Sequence, residues 1–469
     1  MNEQALFSFA GPMKVGGGLQ TQCGIQSHAP LRPIHYLGSK LRIVNSICEV
    51  VGKIDPSGGP VCDLFAGSGT VSREFSTSRT VIAVDIQEYS RVLCSALLSA
   101  PDVSEDRVEA FVNKAVSSDH ARQLCWAVQP AVTYEESCWR EAEAGNLDPL
   151  CEFLERASII SFEQCASPFE DGMLGLALRE TTRRLRKANL VDRPSAVTTR
   201  YFGGTYFSYR QASQIDQLLE AMASLPQSHR DVFLAAILST VSEVVNTVGK
   251  QFAQPIRPRF PDGRPKPHLA ERVARDRTMD VMSTFSSWIS QYVTTECSRR
   301  EHRVIRGDYV DVLDSLRGEV SIVYADPPYT RDHYSRYYHV LETLCVRDCP
   351  RISRVRINGS EQMSRGLYRT DRYQSPFCIK SKAPGAFSTL FAKVRCLDVP
   401  LVLSYSPFDK GTGARPRLMT IEDMKDLARG VFRHVESMPA GRVAHSKLNR
   451  SDMNKAISYG AETFLICQP

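Results

Sequence analysis

The sequence predicts an α/β fold interrupted by a long, mainly helical insertion. Three observations carry this reading. Short apolar runs alternate with helical periodicity over residues 31–100, and the same alternation returns from 300 to 469. Between them, over 101–299, apolar residues recur at helical spacing and strand-like runs are scarce. A structureless loop of that length would be exceptional, so the middle segment is expected to be folded.

In chain order, residues 1–30 are rich in Gly, Gln and Ser without periodicity and read as a flexible leader. "HYLGSK" (35–40) is a turn that opens a helix. "PVCDLFAGSGTVSREF" (60–75) reads as strand, glycine-rich turn and helix, and "RTVIAVDIQ" (79–87) as a strand ending at Asp85. The segments "SEDRVEAFVNKAV", "QIDQLLEAMASL" and "RDVFLAAILSTVSEVVNTV" are helical in the insertion. Beyond it, "HRVIRGDYVDVLDSL" gives strand, turn and helix, and "EVSIVYADPPYT" a strand ending in Asp326. "YYHVLETL" is a helix, and "PLVLSYS" and "AETFLICQ" are further strands.

The chain has 469 residues, 42% of them apolar and 23% charged, with a net charge of +6. This is the balance of a soluble globular protein, mildly basic and compatible with a nucleic-acid partner. The 14 cysteines are scattered and form no C-x-x-C pair, which points to free thiols in a reducing cytoplasm and no metal site. No apolar run is long enough to span a bilayer.

Two constellations carry chemistry. In "DLFAGSGT", Gly67 and Gly69 let a ligand approach the backbone at a helix start, with Asp63 and Phe65 just before them. The third glycine of a dinucleotide turn is missing, and Asp85 ends the next strand where an acid suits a ribose diol. A nucleoside without a pyrophosphate fits this better than a nicotinamide dinucleotide. The second constellation is Asp326-Pro327-Pro328-Tyr329 at a strand's carboxyl end. The prolines stiffen the turn. The Asp326 carboxylate and the Pro327 carbonyl are two acceptors that match the two hydrogens of an exocyclic amine. Tyr329 offers a face for the attached ring. The motif therefore reads as a clamp for the amino group of a nucleobase.

"HYLGSK", "DLFAGSGT", "VDIQ", "RGDY" and "ADPPY", in this order, resemble the D12-class (Dam-like) N6-adenine-specific DNA methyltransferases. The resemblance covers roughly residues 31–90 and 300–345. It implies a Rossmann-like S-adenosylmethionine-dependent methyltransferase sheet, here split by the insertion, which occupies the place of a target-recognition region. It further implies that Tyr36 and Lys40 contact the methionine part of the cofactor. Asp63, Phe65, Gly67 and Gly69 would form its turn, Asp85 would bind its ribose, and Asp308 and Tyr309 would touch its adenine. Asp326, Pro327, Pro328 and Tyr329 would hold a target adenine flipped out of duplex DNA.

DNA contacts are expected from basic and aromatic stretches. These are 200–210 with Arg200, Tyr206 and Arg210, 257–268, and 351–382 with Arg354 and Arg356, which carries eight Arg or Lys against two acids. Tyr334, Tyr337 and Tyr338 either support the flipped base or line the DNA entrance, or else simply pack the helix that follows. A restriction or phage-defence context with partner proteins is the expected setting. The same clamp would also suit adenine in RNA or N4 of cytosine, and the reading from another class is a DNA-binding specificity subunit of a defence assembly.

Overall fold

The strands show strict two-residue alternation between two apolar cores, which requires a sheet covered on both faces. In β1 (Val61–Leu64), Cys62 and Leu64 enter one core while Val61 enters the other; in β2 (Val81–Asp85), Ile82 and Val84 oppose Val81 and Ala83. The remaining strands are β3 (Arg303–Arg306), β4 (Ile322–Ala325), β5 (Arg354–Ile357), β6 (Ser360–Met363), β7 (Leu401–Tyr405), β8 (His434–Pro439), β9 (Arg442–Val443), β10 (Ser458–Tyr459) and β11 (Thr463–Gln468). Seven of them form one sheet in the order β3-β2-β1-β4-β7-β11-β8, and β5–β6 and β9–β10 are separate antiparallel pairs. The first five sheet strands are parallel, and β11 runs antiparallel between β7 and β8. The result is a mixed α/β fold with a mostly parallel central sheet.

The computed structural model describes residues 31–99, 102–164, 172–191, 193–295, 298, 300–357, 359–406, 417–443, 458–459 and 462–469. The expected leader, 1–30, lies outside them. The described residues from 32 onward form one compact unit.

Helices α1 (Val44–Ile54), α2 (Thr70–Ser76) and α3 (Glu88–Leu98) cover one face of the sheet. Between α3 and β3 run α4 (Glu105–Ser117), α5 (Asp119–Glu143), α6 (Asp148–Arg156), α7 (Ile159–Gln164), α8 (Met173–Lys187), α9 (Tyr209–Ala221), α10 (Gln227–Val244), α11 (Leu269–Arg277) and α12 (Val281–Thr294). The middle of the chain is thus helical, with its own apolar core built by α5, α6, α8, α9 and α11. Helix α10 is buried along most of its length because it packs between α3 and α12, which ties the insertion to the sheet layer. Helix α13 (Tyr309–Ser315) follows β3; α14 (Tyr334–Tyr337) and α15 (His339–Val346) follow β4; α16 (Ala383–Leu397) and α17 (Ile421–Arg429) complete the second face with α13.

The β5–β6 hairpin and β8 were not expected from sequence. Strand β8 is an edge strand with little burial, so its sequence lacks the apolar signal of the central strands.

Candidate active site

Strand order explains why motifs far apart in sequence meet. Strands β1 and β4 are neighbours with Leu64 opposite Ala325, so the glycine turn and Asp326 leave the sheet side by side. The Asp326 N–H reaches the Leu64 carbonyl at 3.4 Å. Beyond β1 lies β2 with Asp85 at its end, then β3 followed by Gly307 and Asp308, whose Gly307 N–H donates to the Asp85 carbonyl. The carboxyl edge of a parallel sheet, where the chain reverses its winding direction, is where open α/β folds bind ligands. A cleft of about 1020 Å³, its open mouth included, lies there and is lined by Tyr36, Lys40, Asp63, Phe65, Asp85, Asp308, Tyr309, Asp326, Pro328 and Tyr334.

The glycine turn is shaped by close approach. Gly67 has φ 56°, and a Cβ on it would meet the Tyr36 hydroxyl at 2.6 Å. Its N–H donates to Asp85 Oδ2 at 3.0 Å, while Asp85 Oδ1 accepts from Gln87 N–H at 2.9 Å. Phe65 holds φ 71°, an uncommon conformation for a non-glycine residue, and packs on Tyr309 and Phe377. Gly69 caps α2 with φ 76°. Asp308 caps α13 through Val310 N–H, and its other oxygen accepts from the Tyr373 hydroxyl at 3.2 Å. Tyr309 is buried in the core, with its hydroxyl on the Ala386 carbonyl.

The loop carrying "HYLGSK" has no sheet or helix to satisfy its backbone, and the tyrosines after Asp326 supply the partners. Leu37 N–H donates to the Tyr338 hydroxyl at 2.7 Å, Tyr338 donates to the His35 carbonyl, and Tyr334 donates to the Leu37 carbonyl. Tyr36 stacks on Tyr338 with centroids 5.2 Å apart. Tyr338 is buried in this role, and Tyr337 is buried with its hydroxyl on Asp332 Oδ1. For these residues the packing alternative holds; Tyr334 also faces the cleft.

Lys40 is buried, and its Nζ lies 3.1 Å from Asp326 Oδ1 and 3.4 Å from Glu462 Oε1. The expected partner of Lys40 was a cofactor carboxylate; its ammonium faces two carboxylates of the chain itself. The contact to Asp326 has ion-pair distance without hydrogen-bond geometry, so Oδ1 keeps no directed hydrogen bond among the described residues. Glu462, buried at the start of β11, also accepts from the Tyr329 hydroxyl at 3.2 Å. The Arg417 guanidinium lies 4.5 Å from the Tyr329 ring centroid, and Tyr405 meets the ring edge-on.

Burial pushes Asp326 up to about 6, against the pull of Lys40 and with the help of Glu462. Burial also pushes Asp63 up to about 7, although Ser72 donates to it at 2.5 Å, and it raises Asp85. Lys40 is held well above its ordinary range because the facing carboxylates outweigh its burial. The cleft thus carries four aspartates against one lysine. Such an excess of carboxylate favours a cationic ligand and disfavours a phosphate-bearing one. Among the described residues no group of three His, Cys, Asp or Glu is set to hold a metal ion.

Residues 36–126 match the model of the D12 class N6 adenine-specific DNA methyltransferase family. This segment is similar to the D12 class. Modification methylase LlaI of Lactococcus lactis subsp. lactis is 23% identical over 398 residues, covering 84% of this chain and 48% of that protein. Type II methyltransferase M.NlaIII of Neisseria lactamica is 39% identical over 82 residues, 15% of this chain and 24% of that protein. The chain therefore spans about half the length of the first relative and matches about a quarter of the second. The D12-class match begins at Tyr36 and includes the glycine turn and Asp85.

Two of the expected DNA contacts need correction. Tyr206 is 0% exposed, and its hydroxyl donates to the Phe252 and Gly366 carbonyls. Arg200 is buried, bonded to Glu163 and to the Val191 carbonyl. Arg200 lies in the helical segment Thr198–Phe202 and Tyr206 in the turn after it, where a Cβ on Gly204 would meet the Ala157 carbonyl at 2.4 Å, so both are core and not surface. Arg210 is exposed and paired with Glu136, and Arg354 and Arg356 are exposed on β5. Glu462, Arg417 and Tyr373 were missed by sequence reading. An acid opening an otherwise apolar strand, as in "ETFLICQ", was the available signal for Glu462.

Proposed function

We propose that the protein transfers a methyl group from S-adenosylmethionine to N6 of an adenine flipped out of duplex DNA. The observation that carries this is the meeting of Asp326, Lys40 and the glycine turn in one carboxylate-rich cleft. The fold that supports it is a Rossmann-like methyltransferase sheet split by the insertion at 101–299, which would serve in target recognition. The β5–β6 hairpin, with Arg354, Val355 and Arg356 exposed, would meet the DNA backbone. One relative is named a modification methylase and the other a type II methyltransferase, which favours a restriction or phage-defence setting with partner proteins.

The cleft fits the cofactor. Asp63, Asp85 and Asp308 offer acceptors and negative charge to a cationic nucleoside, and Gly67 opens the backbone beneath Tyr36. Bound there, S-adenosylmethionine would supply an electrophilic sulfonium methyl. The chain's own residues do the rest. Asp326 and the Pro327 carbonyl accept the two amine hydrogens, which localises the nitrogen lone pair otherwise delocalised into the ring. Lys40, itself paired with Glu462, holds the Asp326 carboxylate in place from behind. The hydroxyl anchor to Glu462 fixes the Tyr329 ring as a stacking surface. With a pKa of about 6, Asp326 takes the proton released by the methylated amine and returns it to water near neutral pH. Catalysis by positioning and fixed electrostatics needs no covalent enzyme intermediate. Incubation with methyl-labelled S-adenosylmethionine and DNA tests this; an unlabelled product would refute it.

A further inference from the structure

Strand β7 pairs with β4, so the residues that leave its end run past the base clamp. Residues 417–419 lie against the clamp turn. Arg417 forms an antiparallel bridge with Thr330, and Leu418 N–H donates to the Tyr329 carbonyl at 3.4 Å. The Tyr405 hydroxyl, at the end of β7, donates to the Met419 carbonyl at 2.5 Å. The backbone of Arg417 is therefore fixed beside Tyr329.

The Arg417 side chain is held by less. Its Nε donates to the Ser406 carbonyl at 3.1 Å and its Nη2 to the Ser406 hydroxyl at 2.7 Å, while the guanidinium lies over the Tyr329 ring at 4.5 Å from the centroid. Among the described residues it makes no ion pair. The other cation over that ring, Lys40 at 5.5 Å, is buried and paired with Asp326 and Glu462.

These contacts leave the ring little surface to offer. Its hydroxyl is on Glu462, Tyr405 packs against it edge-on, and two cations lie over it. The cleft is lined by Asp326, Pro328 and Tyr334, and Tyr329 is not among its lining residues. Lys40 is buried whereas Arg417 is partly exposed, so the side of the ring that a base arriving from solvent would reach is the one under Arg417. A guanidinium is planar and stacks on an aromatic face much as a base does.

We propose that Arg417 holds the stacking place of the target base before DNA binds and yields it when the base enters. The inference rests on the proposed methylation of a flipped adenine and adds the occupant that the base must displace. Only the side chain has to move, and water replaces its two hydrogen bonds to Ser406. Such an occupant sets specificity. A base that stacks on Tyr329 and also gives two amine hydrogens to Asp326 and the Pro327 carbonyl gains more than the guanidinium gives up; a base that only stacks gains little.

The test compares wild type, Arg417→Ala and Arg417→Lys in their affinity for two synthetic duplexes, with S-adenosylhomocysteine present so that no transfer occurs. One duplex holds the site mapped by methyl labelling. In the other an abasic nucleotide replaces the target adenine, so no base can enter. The readout is the ratio of the two affinities, in which the general loss of one positive charge near DNA cancels. In Arg417→Ala the preference for the adenine duplex should rise by about two- to thirtyfold, the worth of a cation–π contact. Arg417→Lys, which keeps a cation over the ring, should fall between wild type and Arg417→Ala. An unchanged ratio in Arg417→Ala overturns the proposal. A lowered ratio overturns it too, and makes Arg417 a support behind the stacked base. Wild type that methylates no DNA overturns the underlying function instead.

Discussion

Removing the Asp326 carboxylate should separate binding from chemistry. In Asp326→Ala the amine loses one of its two acceptors, and Lys40, formerly 3.1 Å from that carboxylate, keeps only Glu462 at 3.4 Å. Loss of one preorganised hydrogen-bonding group in a water-poor site typically lowers kcat by about 10²–10³-fold, or about 2.7–4 kcal/mol. The cofactor should still bind within about tenfold, because Asp63, Asp85 and Asp308 remain in the cleft. Stability should change little, because two effects oppose. A rise from 3.8 to about 6 means the ionised Asp326 burdens the fold by about 3 kcal/mol at pH 8, and the substitution removes that burden. It also leaves the buried Lys40 with one partner fewer, which is destabilising by a comparable amount. The assay is transfer of labelled methyl groups to DNA, with calorimetric cofactor binding and thermal melting alongside. Near-wild-type turnover would refute the amine clamp. A loss of cofactor affinity as large as the loss of turnover would make Asp326 a cofactor ligand instead.

Other expectations follow from the same geometry. Glu462→Gln keeps an acceptor for Tyr329 but removes the charge that raises Asp326, so the acidic limb of the kcat–pH profile should move to lower pH; an unmoved limb would show that the two carboxylates are uncoupled. Cofactor affinity should rise with pH through about 7, because Asp63 holds its proton in the free protein and must release it to meet a cation, and Asp63→Asn should flatten this dependence in calorimetric titrations. Tyr206→Phe should lower stability by about 1–3 kcal/mol, since two buried carbonyls lose their donor, yet leave the salt dependence of DNA binding unchanged; a reduced salt slope would return Tyr206 to the DNA surface.

The sheet and the acids and glycine turn at its carboxyl edge were legible because their signals are local. A strand that ends in an acid or a glycine turn announces itself within ten residues, as Asp63, Asp85 and Asp326 do. Their meeting follows from strand adjacency, β1 beside β2 and β4. Glu462 was not legible because β11 reaches the site only by inserting antiparallel between β7 and β8, a choice no local pattern encodes. The stretch around Tyr206 misled because aromatics with flanking arginines look the same on a DNA-binding surface and in a buried turn. What separates the two is whether a partner such as Glu163 lies opposite, and that is a tertiary fact. For Tyr338, the unsatisfied backbone of the "HYLGSK" loop made the decision.

The most direct measurement is the identity of the modified base. The purified protein is incubated with methyl-labelled S-adenosylmethionine and unmodified genomic DNA, the DNA is digested to nucleosides, and the label is assigned. The proposed amine clamp, taken with the match to the N6 adenine-specific family model, predicts label on N6-methyladenine at a defined sequence. Label in cytosine, label in RNA alone, or no transfer to DNA would contradict it.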